Sequence, residues 1–155
     1  MNRPHFKLSL ATIIFLIFST YELHAQLVVV VHPENPISNL SMDELKMIYT
    51  GKVSNFQHGE NIVLTQTKGL TKEFYGIVLK KTPNKVLKYW INLVFSGVSV
   101  TPPLECRSEE DTITTVINHI GAIGFIEYSN VDERVKKLTL DGINPGDTDY
   151  PLYLK

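Results

Sequence analysis

The sequence predicts an α/β fold, an open and mostly parallel sheet with helices on both faces. Two observations carry this. Leu27 to Val31 is apolar at every position, and such a strand is buried on both faces, the habit of central strands in α/β sheets. After it, helical spacing and short apolar runs alternate along the chain, a pattern that stacks helices against a sheet.

The elements follow in order. His32-Pro33 ends the first strand, and the prolines of Pro33-Glu34-Asn35-Pro36 force a loop. Ser41-Met42-Asp43-Glu44 has the form of a capping box. Met42, Leu45, Ile48 and Tyr49 then repeat at helical spacing, and Gly51 stands where a left-handed cap ends the helix. Ile62 to Leu64 reads as a strand, Thr67-Lys68-Gly69 as its punctuation, and Leu70 to Leu79 as a helix. Thr82-Pro83 opens another helix with a cap residue and a first-turn proline. Leu87, Trp90, Ile91 and Val94 share one of its faces, and Gly97 closes it.

Ser108 starts a helix with Ile113, Val116, Ile117 and Ile120 on one face, ended by Gly121. Ile123 to Ile126 and Val135 to Leu140 are strands, and Tyr150 to Leu154 a last extended segment. The order read is β-α-β-α-α-α-β-β.

The first 25 residues read as a secretory signal peptide. Arg3, His5 and Lys7 form a basic start, Leu8 to Phe18 is almost wholly apolar, and Ala25 is the small residue before the cut. The apolar run is short of the roughly 20 residues a bilayer span needs. Residues 26–155 then form one domain, with no repeat, linker or low-complexity tract. The expected place is the periplasm or the cell exterior, without stable membrane insertion.

The whole chain has 15 basic and 16 acidic residues. Removing Arg3, Lys7 and Glu22 leaves 13 and 15, a net charge of −2. That balance lacks the positive face that grips nucleic acid or a polyanionic membrane. Lys80, Lys81, Lys85 and Lys88 read as a solvated face. Cys106 is the only cysteine, so no disulfide staples the fold. His32, His58 and His119 are isolated and lack metal-site spacing. No nucleophile elbow, zinc-protease, phosphate-loop or dinucleotide motif occurs. The sequence offers no support for an enzyme, a metal or a cofactor.

Ligands of open α/β sheets sit beyond the carboxyl ends of strands, at helix starts. Two loops answer that description, His32 to Leu40 and Thr65 to Thr71. The second offers the hydroxyls of Thr65, Thr67 and Thr71, the ammonium of Lys68, the glycine Gly69, and the amides that open a helix at Leu70. Those groups suit an oxyanion. On spacing alone an ordinary polar-capped strand–helix turn is the simpler reading. Asn35 and Ser38 are the polar candidates of the first loop.

Three segments, Leu27 to Ser41, Ile48 to Phe56 and Gly121 to Ser129, together resemble the phosphate-binding periplasmic proteins, the solute-capturing subunits of phosphate ABC transporters. The second follows that family's Ile-Phe-x-Gly-Lys-x-x-x-Trp pattern, with Tyr49 and Phe56 as aromatic substitutes. Tyr150-Pro151-Leu152 resembles its closing strand. The resemblance implies one lobe of the type 2 periplasmic-binding-protein fold and a phosphate or related oxyanion ligand. The family's arginine and Ser-Gly-Thr at a helix start are matched here only by Lys68-Gly69-Leu70 or Gly69-Leu70-Thr71. A single lobe has nothing of its own to close against, which implies a homodimer or a periplasmic protein partner covering the two loops. The alternative function is an interaction or sensory module that keeps the fold without tight ligand capture.

Overall fold

The computed structural model describes residues 25–154; all but the last residue of the expected signal peptide, residues 1–25, lies outside them. The elements are β1 (Leu27–Val31), β2 (Asn39–Leu40), α1 (Met42–Tyr49), β3 (Val63–Thr67), α2 (Thr71–Val78), α3 (Pro83–Phe95), β4 (Leu104–Cys106), α4 (Glu109–Asn118), β5 (Ala122–Glu127), a 3-10 turn (Tyr128–Asn130), β6 (Lys136–Lys137) and β7 (Thr139–Leu140). The main sheet has the order β4-β3-β5-β1-β6, and β2 pairs with β7 in a small second sheet.

All five residues of β1 are fully buried, as their composition predicts. Its direction is the surprise. β1 is antiparallel to both neighbours, with Leu27 opposite Glu127 and Val31 opposite Ile123. β3 is parallel to β4 and to β5. Four strands therefore run one way and β1 alone runs against them, so the sheet is mostly parallel in strand direction.

Alternation along β5 explains the two helical layers. Gly124 faces α4, where an added Cβ would lie 2.6 Å from Thr112 Cγ2 and 2.5 Å from Thr65 Oγ1. Phe125 faces the opposite way. Its ring stacks on Phe74 of α2 at 3.7 Å and 6° between planes, and Tyr49 of α1 packs edge-on to Phe74 at 4.8 Å. The glycine thus lets α4 approach one face while an aromatic cluster fills the other.

The helix starts are as their caps predict. Ser41 and Glu44 close the capping box of α1, Pro83 opens α3, and Ser108 accepts from the Asp111 amide at α4. Other expectations are corrected. β3 runs on through Thr67, so Thr65 and Thr67 are strand, not loop. The Leu104–Cys106 segment, given no element from the sequence, is the edge strand β4. Only Cys106 of it is buried, so no alternation marks it. The strand expected over Val135–Leu140 divides into β6 and β7, which join different sheets. Near the carboxyl end only Tyr153 bridges the sheet, opposite Gln26.

Candidate functional site at the start of α2

The antiparallel run of β1 sends the two candidate loops to opposite ends of the sheet. Val31, Ile123 and Leu64 lie side by side near one end. The His32–Leu40 loop leaves from there, whereas the turn after Thr67 leaves from the far end of β3. Three residue steps of strand, roughly 10 Å, separate them. Asn35 is buried, donating to the Ile120 carbonyl at 2.8 Å and accepting from the Ile37 amide at 3.0 Å. The Lys136 ammonium bonds its carbonyl. Asn35 is therefore a loop fastener. Ser38 is exposed, and its carbonyl accepts from the Thr139 amide at 3.0 Å. Neither reaches the β3–α2 turn, which corrects the expectation of one site built from both loops.

Within the second loop the hydroxyls also divide. Thr65 is fully buried and donates to the Ile123 carbonyl at 3.0 Å. Thr67 is buried, donates to the Phe125 carbonyl at 2.6 Å and meets Thr112 Oγ1 at 2.7 Å. Both hydroxyls lie between the sheet and α4 and are committed to internal bonds. As ligand groups they are corrected to structural ones, because β3 carries their side chains to its inner face.

What remains at the surface is Lys68, Gly69, Leu70 and Thr71. Lys68 and Gly69 are exposed, Leu70 and Thr71 half-buried. Gly69 has φ of 91°, with open space where a Cβ would stand; the positive φ turns the chain into α2 and suits glycine. Leu70 is the N-cap of α2 and supplies no side-chain cap, so the first-turn amides lack the partner that Ser41 and Ser108 provide elsewhere. The Lys68 amide donates to the Cys106 carbonyl at 2.8 Å. This ties the turn to the end of β4 and brings Arg107 to the same edge, its side chain 89 % exposed and loosely paired with Asp111 at 3.6 Å.

The turn opens on a cavity of about 260 Å³. Lys68, Thr71, Gln66 and Tyr75 stand on its wall, and Glu105 and Trp90 join them from β4 and α3. The Tyr75 phenol donates to Gln66 Oε1 at 2.5 Å, and burial pushes its pKa well up, so it stays a neutral donor. Glu73, in the first turn of α2, keeps Oε2 buried without a donor. Three cations, Lys68, Lys72 and Arg107, and two carboxylates, Glu73 and Glu105, therefore surround the start of α2. No group of three metal-ligating side chains occurs among the described residues. Sequence reasoning missed Arg107, Glu105 and Trp90 here; the signal for the first two was β4, which its exposure conceals.

No model of a protein family matches the chain. Over 121 residues it is 26 % identical to the phosphate-binding protein PstS of Bacillus subtilis, covering 74 % of this chain and 36 % of that protein. The structure of an ABC-type phosphate transport receptor from Vibrio cholerae superposes with a TM-score of 0.65 at 21 % identity, over 83 % of this chain and 53 % of that one. The fold is that of the phosphate-transport substrate-binding proteins. PstS from Borrelia burgdorferi agrees, with a TM-score of 0.66 at 16 % identity over 84 % of this chain and 55 % of its own. The chain spans about a third of the length of the curated relative and about half of each of these solved substrate-binding proteins. It thus matches a lobe-sized part of the substrate-binding-protein fold, as the sequence motifs imply. Among the described residues no helix is long and apolar enough to cross a membrane.

Proposed function

We propose that this protein is an exported solute binder, not an enzyme, that takes phosphate at the start of α2. The observation that carries the reading is the cavity at that turn, on whose wall Lys68 and Thr71 stand beside the uncapped first-turn amides. An oxyanion there accepts bonds from those amides and from the Thr71 hydroxyl, with Lys68 as a mobile point charge. Arg107, one residue beyond β4, adds a second cation at the same edge. The kinship with phosphate-binding and phosphate-transport proteins supports the choice of anion. Glu105 sharpens it. A carboxylate beside an oxyanion can only accept a hydrogen bond, so it favours an anion that still carries a proton. Hydrogen phosphate does, and sulfate does not.

Binding of this kind is weak. Two or three exposed charge-assisted bonds, at about 1.5 kcal/mol each, amount to about 4 kcal/mol, a Kd of about 1 mM. Calorimetric titration with phosphate and sulfate tests the proposal. Lys68→Ala and Thr71→Val should each weaken phosphate binding severalfold, and an affinity indifferent to both places the ligand elsewhere.

A second reading, an interaction or sensory module, has its own observation. α3 turns a stripe of Leu87, Ile91, Val94 and Phe95 to solvent, with Phe95 87 % exposed. Surface stripes of this kind mark contact faces. On this reading the protein pairs with a second copy or a periplasmic partner through α3, since the two loops expected to share such a face lie at opposite ends of the sheet. Sedimentation across a concentration series separates a monomeric binder from a self-associating module.

A further inference from the structure

The cavity at the start of α2 is two-sided, and one side is mostly apolar, with Asn84 its one polar side chain. Lys68, Thr71 and Gln66 are polar, but Leu87, Pro102 and Pro103 close the other part of the wall together with Trp90. Trp90 is 3 % exposed, and its indole N–H is buried without an acceptor. A buried donor left unpaired is costly and needs an explanation. Tetrahedral phosphate fills only the polar part of a volume of about 260 Å³. We propose that the site takes a phosphate monoester, with the phosphoryl group at Lys68 and Thr71 and the organic group against Trp90, Leu87 and the two prolines.

This rests on the oxyanion reading above and extends it to the class of ligand. The chemistry on the two sides is complementary to a monoester. The monoanionic phosphoryl group keeps a proton for Glu105 and three oxygens for the amides and Lys68, while an apolar or ring-shaped substituent removes the exposed proline and leucine surface from water. Aromatic faces suit flat or ring-shaped groups. Glu105 stands on the same wall and disfavours a second anionic group, so a monoester with an uncharged substituent fits better than a diphosphate.

Trp90 is the only tryptophan in the chain, so its emission reports occupancy directly. The experiment is parallel calorimetric and fluorescence titration of the full chain with inorganic phosphate, phenyl phosphate and phenol. The expected result is phenyl phosphate binding about tenfold tighter than phosphate, with a change in tryptophan emission, and phenol binding at least tenfold weaker than the ester. Lys68→Ala should weaken both phosphate and the ester. Leu87→Ser, at a residue 59 % exposed, should bring the ester's affinity down toward that of phosphate without the folding risk of replacing Trp90. Phosphate binding as tightly as the ester overturns the inference and leaves the oxyanion reading standing. If neither phosphate nor the ester binds, both are overturned.

Discussion

The Lys68 amide donates to the Cys106 carbonyl at 2.8 Å, so the residue that opens the candidate site and the residue before Arg107 are joined across two parallel strands. Arg107 thereby enters the same edge as Lys68, without being near it in sequence. Arg107→Ala should weaken phosphate binding about fivefold to tenfold, the size of one exposed charge-assisted bond. The loss should shrink in high salt as the charge is screened. Calorimetry at two ionic strengths checks both expectations; an unchanged affinity removes Arg107 from the site.

Glu105 gives a test of selectivity. With Glu105→Gln the wall can donate as well as accept, and sulfate loses its disadvantage. The ratio of phosphate to sulfate affinity should fall toward one. Competition of sulfate against bound phosphate, followed by calorimetry in wild type and variant, measures that ratio.

Thr67 separates architecture from recognition. Its hydroxyl sits between Thr112 Oγ1 and the Phe125 carbonyl, buried on the α4 side of the sheet. Thr67→Val keeps the shape and removes the donor, at a cost of about 1–3 kcal/mol in stability. Denaturant unfolding should show that loss while phosphate affinity stays the same. A folded variant that loses phosphate binding would return Thr67 to the ligand set.

Alkaline stability follows from the buried phenols. Burial holds Tyr49, Tyr75 and Tyr150 well above the ordinary tyrosine range. In the unfolded chain they ionise near pH 10. A group whose pKa is raised by folding contributes stability that is complete below the unfolded value and lost as pH rises toward the folded one. Unfolding free energy contributed by these groups should hold through pH 9 and decline above about pH 10. Tyr75→Phe should make that decline shallower, as urea midpoints at successive pH values would show.

Much of the fold was legible because its signals are local. Ser41 with Glu44, Thr82 with Pro83, and Ser108 announce helix starts through groups a few residues apart, and the burial of β1 is plain from Leu27 to Val31. The direction of β1 is not local. It depends on pairing with β5 nearly a hundred residues later, and composition says nothing of which way a buried strand points. That single unknown put Asn35 and Ser38 into the candidate site and hid their separation from Lys68. β4 escaped notice because an edge strand with Leu104 and Glu105 in solvent has no burial pattern to display. Thr65 and Thr67 misled for a related reason: a threonine ending a strand looks the same in sequence whether its hydroxyl faces solvent or the next layer.

The placement of β1 also sets the order in which this molecule can assemble. Its five apolar residues come early in the described chain, yet both flanking strands, β5 and β6, are synthesised only after β3, β4 and α1 to α4. Until they exist β1 has no hydrogen-bonding partner on either side, and closing such a distant loop precedes any gain from pairing. The core therefore closes late. A growing chain stays open, with an adhesive strand unpaired, until β5 is available. Shortening it before Ala122 removes both neighbours of β1 and leaves that strand alone, apart from the β3–β4 pair.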